Sequence, residues 1–158
     1  MLLELSALWV VLLNVVGIPA IHLGLSALFL RLPADWFRPG FFPFREQRWE
    51  CGGRTYERFL AVRSWKRFLP DGASWLGGFA KAGLRARDRA YLETFRTESC
   101  RGEAAHYAQV PGILLTLVWN PWPVAALVIV GYALLSNIPC IIVQRYTRLR
   151  LNRLLARG

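Results

Sequence analysis

From Tyr107 to Gln144 the chain carries no Asp, Glu, Lys or Arg, and the cluster Asn120-Pro121-Trp122-Pro123 divides this run in two. A bilayer core about 30 Å thick takes roughly 20 helical residues to cross. The run therefore predicts a helical hairpin, with one leg over 91–119, an external turn at 120–123 and a second leg over 124–144. Glu98, Arg101, Glu103 and His106 crowd its entrance. Counting back one span of about 20 residues from Trp119 puts Glu103 and His106 just inside the cytoplasmic edge of the hydrocarbon layer. Ionisable groups at that depth are costly to bury and mark functional sites.

The rest of the chain agrees with a membrane setting. At 158 residues, 54% hydrophobic and only 19% charged, it is too apolar for an ordinary soluble domain. Leu2 to Leu30 forms a further apolar run that carries Glu4 and lacks the basic start of a secretory signal. A retained transmembrane helix over 2–30, kinked near Pro19, is expected. The fold class predicted is all-α: a single membrane domain over 1–158 with three transmembrane helices and basic amphipathic elements on the cytoplasmic face.

All 20 Lys and Arg lie between Arg31 and Arg101 or between Arg145 and Arg157. By the positive-inside rule both stretches are cytoplasmic, giving a multi-pass plasma-membrane protein with its N-terminus outside and a basic cytoplasmic tail over 145–158. The segment 31–90 interleaves aromatic and basic residues, as in Trp36-Phe37-Arg38 and Trp65-Lys66-Arg67-Phe68. That is the chemistry of headgroup-level anchoring. A helix is expected within Tyr56 to Leu69, ended by Pro70-Asp71-Gly72. The net charge of +10 fits attraction to anionic lipid. Nucleic acid is not an expected partner, because residues committed to the bilayer build no recognition module. Cys51, Cys100 and Cys140 match no metal cage and are expected to be free thiols.

The polar cluster has a chemical reading. Positions three and four apart share a helix face, so Glu103 lies one turn before His106, with Glu98 and Arg101 on a neighbouring stripe. A carboxylate so placed accepts the imidazole N–H, sets its tautomer and leaves the other nitrogen to take a proton. The plainer alternative is that these charges form helix ion pairs. Glu-x-x-His also occurs in di-iron bundles, but a second such motif is missing, so no metal is expected. His22 reads as a packing histidine with a minor chance of catalysis. Asn137 is an amide inside an apolar run; it serves either helix packing or, with Gln144, hydrogen bonding to substrate. Arg145, Arg148 and Arg150 are placed to hold phosphates through their guanidinium forks.

Four blocks in order carry a family resemblance: Arg31-Leu32-Pro33; Val62-Arg63-Ser64-Trp65-Lys66 through Asp71-Gly72; Glu98-Ser99-Cys100-Arg101-Gly102-Glu103-Ala104-Ala105-His106-Tyr107; and Asn137-Ile138-Pro139 through Val143-Gln144-Arg145-Tyr146. The chain resembles the glycosyl-4,4'-diaponeurosporenoate acyltransferase family, small membrane enzymes of carotenoid glycoside biosynthesis. The resemblance implies transfer of a fatty acyl group from a thioester to a sugar hydroxyl of a glycosylated carotenoid or similar glycolipid. His106 would be the base, Glu103 its orienter, and Glu98 and Arg101 their support. Lys66, Trp65, Asp71, Asn137, Gln144, Arg145, Arg148 and Arg150 would contact substrates. No cofactor is expected; acyl-coenzyme A or an acyl-carrier thioester would be a cosubstrate, and the thin scaffold suggests self-association. The competing reading is a non-catalytic subunit or lipid-binding scaffold for a larger enzyme.

Overall fold

The computed structural model describes residues 5–69, 72–81, 84–86 and 88–157, and every regular element among them is helical. Helix α1 spans Ala7–Arg31 and holds Pro19 in its interior. Four short helices or turns follow: a 3-10 turn at Ala34–Phe37, another at Arg48–Gly53, α2 at Arg54–Leu60 and α3 at Val62–Trp65. A 3-10 turn at Lys66–Phe68 and α4 at Gly72–Trp75 complete this segment. Helix α5, Arg89–Leu114, runs into a 3-10 turn at Leu115–Trp119, and α6, Pro123–Leu155, returns antiparallel to it.

Among the described residues, two helices are long and apolar enough to cross a bilayer, α1 and α6, not the three expected. Only 6% of the apolar window of α1 and 17% of that of α6 are buried. Leu8, Val11, Val15, Leu127 and Leu135 point outward, so the surface these helices present suits lipid. α5 falls short because Arg89, Glu93, Arg96, Glu98, Arg101 and Glu103 occupy its first turns. Its uncharged half instead packs between the other two, with Gly112 close enough to α1 that a Cβ there would stand 3.1 Å from Ile21 and Leu25. Asn14 of α1 ties that helix to the turn between α5 and α6, exchanging hydrogen bonds with Asn120 at 2.8 and 3.0 Å and accepting from Trp119.

The expected boundaries shift in two further places. α6 does not stop at the membrane: its 33 residues reach about 50 Å, so the basic stretch from Arg145 continues the same rod well beyond a core about 30 Å thick. The helix expected within Tyr56 to Leu69 is broken at Ala61, whose left-handed φ of 45° turns the chain between α2 and α3. That break folds the segment onto α6. Tyr56, Val62, Tyr146 and Leu149 bury together, and Trp65 packs on them. Gly53 permits the approach: its φ is 87°, and a Cβ would lie 3.3 Å from the Tyr146 ring.

Charge holds the same junction. Arg145 donates through Nε and Nη2 to both oxygens of Glu50, and through Nη1 to Glu103 at 2.9 Å and to the Pro43 carbonyl at 2.9 Å. Arg148, fully buried, donates to the other oxygen of Glu103. Tyr56 and Tyr107 hydroxyls complete the shell, at 2.7 Å from Glu50 and 2.8 Å from Glu103. Burial pushes the Glu50 carboxyl upward, but the bonds from Arg145, the Gln47 backbone N–H and Tyr56 outweigh it and hold the group below its ordinary range. Arg145, expected to grip phosphate, is thus engaged by carboxylates, and Arg148, expected to do the same, gives Nη1 to Glu103 while its buried Nε and Nη2 have no hydrogen-bond partner among the described residues. Desolvated guanidinium groups take the nearest buried anions first.

Removing one partner of a buried pair costs about 3–5 kcal/mol. Glu103→Gln should therefore lower the thermal midpoint of the detergent-solubilised protein sharply, whereas Tyr107→Phe, losing one hydrogen bond of about 1 kcal/mol, should shift it little; heated gel filtration would rank them. Because the Glu50 pKa is lower folded than unfolded, its contribution is full above the ordinary glutamate range and disappears as pH falls through the folded value. Acid titration of the same gel-filtration midpoint should show this loss, and Glu50→Gln should flatten it.

Candidate active site

Faces of α1, α5 and α6 enclose a cavity of about 360 Å³. Its α6 wall runs through Ser136, Cys140, Gln144 and Thr147, spaced to share one helix face. The α5 wall holds Gly102, Ala105, His106 and Gln109, and the α1 wall holds His22, Ser26 and Leu30. Lys66 and Arg67, together with Trp75 and Leu76, close the remaining side. Gly102 lets α5 and α6 meet, since a Cβ there would stand 3.1 Å from the Gln144 amide.

His106 is held by Asn137, whose Oδ1 lies 2.9 Å from its Nδ1. The amide orientation follows from its other bonds: Nδ2 donates to the Ala133 carbonyl at 2.9 Å and to Ser136 at 3.1 Å. Oδ1 is therefore the acceptor and His106 Nδ1 carries the proton. A neutral imidazole so fixed keeps its lone pair on Nε2. The expected partner, Glu103, is not the group bonded to His106. Both its oxygens are taken by Arg145, Arg148 and Tyr107. Spacing along one helix placed acid and base on a shared face, but two arginines from α6 offered the carboxylate stronger, charged partners.

His22 repeats the pattern on the opposite wall. Gln109 donates to the His22 carbonyl at 3.2 Å and to Ser26 at 3.0 Å, so its Oε1, 3.0 Å from His22 Nδ1, is an acceptor. His22 Nε2 then accepts from Tyr132, at 3.3 Å. Gln109 and Tyr132 were missed by sequence reading. The available signal was a polar side chain one turn after His106 inside an uncharged run, and Gln109 supplies it.

The other expected site residues divide. Glu98 and Arg101 do pair, at 3.0 Å, yet Arg101 Nη1 also donates to the carbonyls of Phe29, Leu30 and Leu32 at 2.6 to 3.1 Å. It caps the end of α1, whose last carbonyls have no partner within the helix, instead of supporting the acid and histidine. Trp65 donates to the Leu60 carbonyl at 2.7 Å and packs in the α6 junction away from the cavity. Arg150 sits over the Tyr146 ring at 5.7 Å. Lys66 and Gln144 line the cavity. Asp71 lies outside the described residues. Burial, with Arg150 and Arg63 nearby, holds the Lys66 ammonium below the usual lysine range.

Comparison with known proteins places this geometry. No solved structure matches. The chain is 29% identical over 144 residues to a glycosyl-4,4'-diaponeurosporenoate acyltransferase of Staphylococcus aureus strain USA300, a match covering 85% of this chain and 81% of the relative. The protein of the same name from strain MRSA252 is 30% identical over 144 residues with the same coverage. The family model described as glycosyl-4,4'-diaponeurosporenoate acyltransferase matches residues 33–157, which include α5, α6 and every cavity residue outside α1. The chain belongs to the glycosyl-4,4'-diaponeurosporenoate acyltransferase family and is an acyltransferase.

Proposed function

We propose that this protein transfers a fatty acyl group from an acyl thioester to a sugar hydroxyl of a glycosylated carotenoid or similar glycolipid, with His106 as the general base. The observation that carries the reading is the bond from His106 Nδ1–H to Asn137 inside the cavity. It leaves Nε2 basic and oriented. A sugar hydroxyl is a weak nucleophile until its proton is removed during attack. Nε2 takes that proton as the hydroxyl oxygen bonds to the thioester carbonyl carbon. The tetrahedral intermediate then collapses, the C–S bond breaks, and the departing thiolate recovers the proton from the imidazolium.

The oxyanion of that intermediate calls for a donor on the cavity wall. Asn137 does not supply one, because its Nδ2 is spent on Ala133 and Ser136. Gln144 is the amide left facing the cavity. The acceptor's long apolar tail has a route as well. α1 and α6 both pack on α5 and scarcely on each other, so a seam bridged by His22 and Tyr132 runs along the lipid-facing side of the cavity. A membrane-dissolved tail lies in that seam while the sugar reaches His106. The enzyme works at the cytoplasmic membrane with its basic segments inside, where anionic lipid and soluble thioester are both at hand.

Loss of a general base costs 10²- to 10⁴-fold. Lipid mass spectrometry of a host making a glycosylated carotenoid should therefore show a new fatty-acylated glycoside with the parent chain and none with His106→Ala at matched protein level. Asn137→Leu, which keeps the base but frees its tautomer, should reduce turnover about tenfold, the equivalent of one hydrogen bond of about 1–1.5 kcal/mol. Ester formation undiminished in His106→Ala would remove the base assignment, and no ester from the folded parent chain would remove the acceptor class.

A further inference from the structure

The cavity is elongated, and the charged residues among its described lining, Lys66, Arg67, Lys81 and Arg101, are all cationic; Arg101 is committed to Glu98 and to the end of α1. From Ser136 to Thr147 its α6 wall covers eleven residue steps, about 16 Å of helix. His106 and Asn137 lie toward the Ser136 end. Lys66 lies at the other, over the Tyr146 ring at 5.9 Å, with Arg67 beside it stacked on Phe68 at 4.9 Å. Among the described residues, no carboxylate lines the cavity. Among the described residues, neither Lys66 nor Arg67 forms an ion pair. Glu57 acts on Lys66 through space only, and its Oε2 accepts from the Arg63 backbone at 3.2 Å. Of the three arginines expected to bind phosphate, Arg145 and Arg148 are paired with Glu50 and Glu103, and Arg150 stands over the Tyr146 ring near Lys66.

We infer that the Lys66–Arg67 end of the cavity binds the phosphate of a phosphopantetheine thioester, the donor form common to coenzyme A and acyl-carrier proteins. This rests on the acyl-transfer reading above and assigns its donor a place and a direction. Nine residues separate Asn137 from Tyr146 on α6, about 13 Å. A pantetheine arm spans that gap with its thioester carbonyl at His106 and its phosphate at Lys66. The fit is to the slender arm, while the bulky nucleotide or carrier domain stays outside. A lipid phosphate has a different geometry: its acyl ester carbonyls lie only a few bonds from the phosphorus, too near to reach His106 from Lys66.

The test uses the full chain in neutral phosphatidylcholine nanodiscs, with acyl-phosphopantetheine and acyl-pantetheine as donors that differ by one phosphate. The parent chain should show a KM about tenfold lower for the phosphorylated donor, the worth of a charge-assisted hydrogen bond. Lys66→Gln with Arg67→Gln should raise that KM about tenfold, leave kcat within about twofold, and leave the KM for acyl-pantetheine unchanged. Arg67→Gln alone, at an exposed position, gives the same direction with a smaller rise and guards against misfolding of the pair. Equal KM changes for both donors would overturn the inference. So would loss of anionic-vesicle binding in these variants with the donor preference intact, which would make the site one for lipid headgroups. Equilibrium dialysis with labelled 4'-phosphopantetheine reads the site without turnover. Binding weakened by the substitutions supports it even where no ester forms, an outcome that removes the acyl-transfer reading alone; no binding to the parent chain overturns it.

Discussion

Two carboxylates and two guanidinium groups withdrawn from water decide how this molecule is put together. Glu50, Glu103, Arg145 and Arg148 come from the interfacial segment, from α5 and from α6, and bury together where α6 leaves the membrane. Each ion loses several kcal/mol of hydration there, recovered only by complete and well-shaped pairing. Small displacements of any of the three segments would leave a charge unmatched. The network therefore acts as a register. It is also why the loop between α1 and α5, rich in Gly and broken helices, lies on α6 in one arrangement, with the Pro43 carbonyl and the Phe44 ring drawn in against the same arginines.

That arrangement separates the buried charges from the cavity histidine. Had Glu103 bonded His106, the imidazole would share its carboxylate with the scaffold, and every adjustment of the ion network would be felt there. Here the orienter is an amide. Asn137 sets the tautomer without adding a charge to a low-dielectric site, and its own direction is set by the Ala133 carbonyl one turn earlier on α6. The His22 and Gln109 pair shows the same solution on the facing wall. Amides suit membrane depth because they satisfy polar neighbours without the cost of burying an ion.

What the sequence made legible follows from locality. The uncharged run and its Pro-rich turn act through neighbours in the chain, and they announced an all-helical chain with an antiparallel pair joined at that turn. Helix-face spacing put Glu98 beside Arg101, and the two do pair. The errors came where partners lie far apart in sequence. Arg145 meets Glu50 across 95 positions and Glu103 across 42, and His106 meets Asn137 across 31. Nothing in local periodicity ranks a carboxylate on the same helix against an amide on the next. Arg101 shows a second limit: a buried cation close to an acid reads as an ion pair, whereas its larger task is to cap three carbonyls at the end of α1.

The balance of charge left over bears on what the cavity admits. A chain with twenty cationic and ten acidic side chains must leave many cations without internal partners. The folded arrangement sorts them. Arg145 and Arg148 neutralise carboxylates deep in the α6 junction, while Lys66 and Arg67 close a cavity that, among the described residues, no carboxylate lines. An anion at that end meets two cations, of which Lys66 has its solvation already reduced by burial. The described lining holds two further cations, Lys81 and Arg101, the second committed to Glu98 and to the carbonyls at the end of α1. A cavity so lined, with the His106 imidazole held by Asn137 among its neutral polar groups, favours anionic over cationic ligands.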